Sequence, residues 1–100
     1  MNKRLFLIVA KHRAKEAGYD PDRLTLASDG THKLVYDGVP FGNINYNDYI
    51  QYSYLESEGK MTARDVDDHR RRYLARATKI KGNWRRNKNS PNNLAIHILW

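Results

Sequence analysis

The stretch Leu24-Thr-Leu-Ala-Ser-Asp-Gly-Thr-His-Lys-Leu-Val-Tyr-Asp-Gly-Val-Pro-Phe41 decides the fold class. Leu24, Leu26 and, at the margin, Ala27 alternate with polar residues. Ser28-Asp29-Gly30-Thr31 then supplies turn chemistry ahead of Leu34-Val35-Tyr36, and the two runs read as a hairpin. Asp37-Gly38 is a second turn, the dipeptide best suited to a two-residue loop with positive φ. Val39 to Ile44 is a third short strand, and Pro40 confines it to an edge or sits at its start, because proline cannot donate to a ladder.

Helical spacing takes over on both sides of this block. From Asn2 to Ala17, Leu5, Ile8, Val9 and Ala17 recur on one stripe with His12, and Gly18 followed by Pro21 ends the helix. The basic start ahead of Leu5 to Ala10 imitates a signal peptide, but six apolar residues fall below the roughly 7–15 of its apolar region. The segment reads as a buried helix. Asn47-Asp48 caps a helix through Tyr49, Ile50, Tyr52, Tyr54 and Leu55 that stops before Ser57. Thr62 with Asp65 resembles a capping box and opens a helix over 62–80, with Val66, Tyr73, Ala77 and Ile80 on its inner stripe. Gly82 breaks it, and a basic loop containing Trp84 leads to Ser90-Pro91, an N-cap with proline at the first helical position. Leu94, Ile96, Ile98, Leu99 and Trp100 then form a short apolar helix. The order predicts an α+β domain: a small antiparallel sheet of two or three strands packed with an N-terminal helix and C-terminal helices.

At 100 residues the chain forms one domain over 1–100. Hydrophobic residues make up 40%, with seven Tyr and two Trp, which suffices for a modest core. The mean hydropathy of -0.85 leaves no membrane-spanning run. With no cysteine there is no disulfide framework, thiolate nucleophile or Cys-based zinc site.

Charge is the informative feature. Residues 1–68 hold nine Lys or Arg against all eleven Asp and Glu, whereas residues 69–100 hold nine Lys or Arg and no acid. Those nine are Arg70, Arg71, Arg72, Arg76, Lys79, Lys81, Arg85, Arg86 and Lys88. Solvated faces normally mix charge signs, so an acid-free third points to an anionic partner: nucleic acid, an anionic membrane surface or an acidic protein. Arg72, Arg76 and Lys79 recur at spacings of four and three, a cationic row facing away from the inner stripe, and Arg85, Arg86 and Lys88 extend it beside Trp84. The Trp84 ring either stacks on a base or a guanidinium or plugs the core between two helices, and core packing is the preferred reading.

The other chemistry-bearing residues fit structural roles better. His12, His32, His69 and His97 lack the i,i+4 spacing of a helical metal pair, and His12 and His97 read as hydrogen-bonded structural histidines. Asp65, Asp67, Asp68 and His69 form a cluster that could hold a hard cation, but consecutive helix positions point in different directions, and the preferred reading is carboxylates interacting with the helix dipole. No P-loop, GxSxG or GxGxxG motif is present, and no cofactor is expected.

Seven short motifs in fixed order complete the reading: Ala17-Gly18-Tyr19-Asp20, His32-Lys33-Leu34, Phe41-Gly42 with Tyr46-Asn47-Asp48-Tyr49-Ile50, Arg72-Tyr73-Leu74-Ala75-Arg76-Ala77, Lys81-Gly82-Asn83-Trp84, Ser90-Pro91-Asn92-Asn93-Leu94-Ala95 and Leu99-Trp100. Across nearly the whole chain this order resembles a family of small proteins encoded by large double-stranded DNA viruses of algae and protists. The family has no assigned activity or catalytic residues, so the resemblance implies viral origin, and with it an infected host cell or the virion as the setting. It also implies Leu-Trp as the C-terminal boundary. Read as residues, the motifs are mostly architecture, with Tyr46, Tyr49, Tyr73, Trp84, Leu99 and Trp100 as an aromatic core.

The expected function is a non-enzymatic viral nucleic-acid-binding or nucleoprotein component, contacting phosphates through the nine cations and Trp84 without sequence specificity. The alternative is a minor virion component whose basic face docks on an acidic viral or host protein, and a small enzyme acting on nucleic acid comes third. No membrane partner is expected.

Overall fold

The computed structural model describes residues 1–100 and has the expected α+β architecture. Helix α1 (Lys3–Glu16) precedes strands β1 (Leu24–Leu26), β2 (His32–Tyr36) and β3 (Val39–Asn43). Helices α2 (Tyr49–Ser57), α3 (Ala63–Ala77) and α4 (Pro91–Leu94) follow. No helix is long and apolar enough to cross a membrane.

The three strands form one antiparallel sheet in the order β1-β2-β3, so Pro40 lies on an edge strand opposite Val35. Asp37 (φ 49°) and Gly38 (φ 84°) close the β2-β3 hairpin in the left-handed region that their dipeptide favours. Leu24 pairs with Tyr36, and Leu34 with both Leu26 and Phe41. This register puts Leu24, Leu34, Tyr36 and Phe41 on one buried face.

The β1-β2 turn is braced by Asp29. Its carboxylate accepts the main-chain N–H of His32 (2.8 Å) and of Thr31 (2.9 Å) and meets His32 Nδ1 at 2.6 Å. These bonds hold the Asp29 carboxyl down at about 2, led by the His32 amide. A carboxyl depressed in the fold stabilises it above its ordinary value and loses that contribution as pH falls through the folded value. Acidification toward about pH 2 is therefore expected to release this turn, moving the Thr31 and His32 amide resonances together. In Asp29→Asn that acid transition disappears; its persistence there would assign the effect to another group.

The helix starts are fixed locally. Asn2, Asp48, Thr62 and Ser90 each accept an N–H from the first turn of the helix they cap, and Asp48 and Gln51 form a reciprocal capping box. Two expected faces differ. On α1 the buried residues are Phe6, Ala10 and Ala14, whereas Leu5 and Ile8 are exposed and His12 pairs in solvent with Glu16 at 3.1 Å. The run Leu5 to Ala10 is apolar all round, so periodicity there does not choose a face; the small side chains of Ala10 and Ala14 permit close approach and decide it. Helix α3 stops at Ala77 rather than 80 because the Thr78 hydroxyl turns back onto Leu74 O (2.6 Å) and tighter turns carry Lys79 and Ile80 away. Ile80 is consequently exposed. His97 is also exposed.

The last ten residues form the centre of the molecule. Helix α4 widens into a π-type turn over Ala95–Leu99, with Trp100 N–H donating to Ala95 O at 3.1 Å. Leu94, Ala95, Ile98, Leu99 and Trp100 are all buried, against α1 on one side and β3 on the other. Gly42 (φ 77°) lets β3 approach this closely, since a Cβ there would lie 2.7 Å from Leu99 Cδ1. Two arginines clamp the segment: Arg13 Nε donates to Ile98 O (2.7 Å) and Arg70 Nε to Trp100 O (2.9 Å). Both guanidiniums lie over the Tyr49 ring, at 5.2 and 4.9 Å from its centroid. Burial, reinforced by the charge of Arg70, lowers the pKa of Arg13.

Candidate functional site

The largest concavity is an open groove of about 760 Å³ where three parts of the chain converge. Helix α3 supplies His69, Arg72, Tyr73 and Arg76; the end of β3 and the loop to α2 supply Gly42, Asn43, Tyr46, Asn47 and Asp48; the C-terminal segment supplies Pro91, Asn92, Ala95, Leu99 and Trp100. Positions 69, 72, 73 and 76 follow the i, i+3, i+4, i+7 pattern of one helical face. Arg72 and Arg76 therefore stand in a recess next to Tyr73, not on a convex row turned away from it, and Lys79 lies beyond the helix end.

The groove lies against stacked aromatic pairs. Tyr73 stacks on Trp100 at 4.2 Å between centroids and 7° between planes, Tyr52 on His69 at 4.2 Å and 12°, and Tyr52 reaches Trp100 at 6.1 Å. Burial pushes the Tyr73 hydroxyl pKa up against the opposing effect of Arg76, which keeps the phenol neutral.

Its one acidic side chain is neutralised from within. Lys33 Nζ donates to Asp48 Oδ2 (2.9 Å), to Gln51 Oε1 (2.8 Å) and to the main-chain oxygen of Tyr46. Lys33 and Asp48 side chains are 9% and 2% exposed, so this is a buried ion pair whose three ammonium protons all have partners. Arg72 and Arg76 have no acidic partner. The groove lining thus combines unpaired guanidiniums with amides and a tyrosine, which suits an anion carrying a polar or aromatic body.

The structure divides the nine cations of the acid-free third. Arg72, Arg76, Lys79, Lys81 and Arg86 are exposed and form no ion pair. Of these, Arg72 makes only a long bond within its own helix, Nε to Asp68 O at 3.3 Å, whereas the other four are engaged with other segments or side chains. Arg70 holds Trp100, Arg71 pairs with Asp68, Arg85 donates to Thr78 O and lies 4.4 Å over the Trp84 ring, and Lys88 donates to Gly18 O and lies 4.6 Å over Tyr19. Trp84 does not plug the core. It is half-buried over the turn after α3, with Nε1 donating to Ile80 O at 2.6 Å, and its main-chain oxygen accepts from Ser90 Oγ and Asn93 Nδ2. Tyr46 leaves the expected aromatic core altogether and is 71% exposed at the groove, whereas Leu99 and Trp100 are buried.

Sequence reasoning missed the groove's other wall. Its available signal is Asn43 and Asn47, two amides that flank Tyr46 ahead of a capped helix. Comparison with protein-family models, curated proteins and solved structures finds no match to this chain.

Proposed function

We propose that the protein is a non-enzymatic nucleic-acid-binding component that contacts phosphates through its C-terminal third. The observation carrying this reading is the pair Arg72 and Arg76, four residues apart on one helical face, sharing a groove with no free acid. Guanidiniums at this spacing are neighbours that can grip one phosphate or two successive ones. Lys79, Lys81 and Arg86 add exposed positive charge without acidic partners, the electrostatic footprint of a polyanion binder. Phosphate contacts position a protein without reading bases, so binding is largely independent of sequence. Viral origin, the one thing the family resemblance implies, would set this binding in an infected cell or the virion.

The test is the triple substitution Arg72→Ser, Arg76→Ser and Lys79→Ser. It is expected to weaken binding to mixed-sequence oligonucleotides similarly whatever their sequence, lowering the salt slope by about 0.7–0.9 for each cation that meets a phosphate. The melting temperature should stay nearly unchanged, because exposed charges contribute little to stability. Unchanged nucleic-acid binding in the triple variant would refute the role of this face. Binding retained only for an acidic protein would make the face a protein-docking surface instead.

A further inference from the structure

We infer that the groove takes a single strand, with phosphate at Arg72 and Arg76 and a base stacked on Tyr46. This rests on the nucleic-acid reading above and narrows its ligand class. A duplex shows a protein its phosphates on a convex backbone, while base faces are hidden in the stack; only an unpaired strand offers a phosphate and a free base face to one recess. The groove lining has the complementary division, with guanidiniums supplied by α3 and tyrosine and asparagine by the loop between β3 and α2. Its volume of about 760 Å³ falls in the ~300–1,000 Å³ class that encloses a small ligand.

Tyr46 is the decisive residue. It is a large ring left 71% exposed, and neither face stacks on another aromatic ring or carries a cation. Yet the loop beneath it is held: Lys33 binds its main-chain oxygen, and Tyr46 N–H donates to Asn43 O at 3.3 Å. An exposed ring on a braced loop loses little freedom when a base stacks on it. Beside it the Asn47 side chain makes no hydrogen bond within the chain, leaving an amide for a base edge. The Asp48 carboxylate repels no phosphate because Lys33 already neutralises it.

The experiment compares one mixed-sequence oligonucleotide as single-stranded DNA, single-stranded RNA and duplex DNA, by fluorescence anisotropy with the full chain at low salt. Either single strand is expected to bind more tightly than the duplex. Tyr46→Ala should weaken single-strand binding about fivefold to 150-fold, the increment for one stacked base, and leave duplex binding unchanged. Tyr46→Phe should retain wild-type affinity, and the melting temperatures of both variants should match the wild type. Equal affinity for single strand and duplex, with Tyr46→Ala neutral on both, overturns the inference while the phosphate-binding reading stands. Binding to none of the three overturns both.

Discussion

Removing Leu99 and Trp100 is expected to unfold the protein. Leu99 is 2% exposed and touches β3 where Gly42 makes room for it. Trp100 stacks on Tyr73, approaches Tyr52 and supplies the oxygen that Arg70 holds. Truncating a buried Leu costs about 2–5 kcal/mol and a buried Trp about 3–5, so losing both consumes most of the ~5–15 kcal/mol of a small domain. The truncated chain should lose its cooperative thermal transition by circular dichroism, or aggregate. Trp100→Ala alone should lower the melting temperature by more than about 10 °C. A truncated chain that keeps its melting temperature and loses only binding would make this segment an exposed docking element and contradict its central place in the core.

The second large effect is expected at Lys33. Lys33→Met strands the Asp48 carboxylate, 2% exposed, without its cation, and such a loss in a buried pair costs about 3–5 kcal/mol. The cost lies in the stranded charge, so neutralising it should restore stability. Asp48→Asn keeps an N-cap of equal quality for α2, and the double variant Lys33→Met with Asp48→Asn should recover at least about half of the lost stability in urea unfolding. A double variant no more stable than Lys33→Met would show that the lost contacts to Tyr46 and Gln51, not the charge, carry the effect.

These two sites show what local sequence can and cannot reveal. Turn and cap chemistry acts over two to four residues, so Asp37-Gly38, Asp48, Thr62 and Ser90 were legible, and with them the order of elements. The buried face of α1 was not, because two apolar stripes compete in Leu5 to Ala10 and only the partner surface chooses between them. Residue type places Tyr46 inward, but the turn over residues 43–47 sets it outward. Spacing and charge single out Arg72 and Arg76. Their groove was hidden because its walls come from residues 42–48, 69–76 and 91–100, and its buried Lys33-Asp48 pair spans 15 positions. Lys and Arg counts likewise do not separate Arg70, which clamps the C-terminal segment, from Arg72, which bonds only to Asp68 O one turn back on its own helix.

The most direct test of the central claim is the salt dependence of affinity for a mixed-sequence single strand. Five exposed cations without ion-pair partners, if all meet phosphates, give a log–log slope near about -3.5. The account predicts a slope between about -2 and -3.5 that becomes shallower in the Arg72, Arg76 and Lys79 triple variant. An affinity that does not change with salt, or no binding at about 50–100 mM salt, would contradict it.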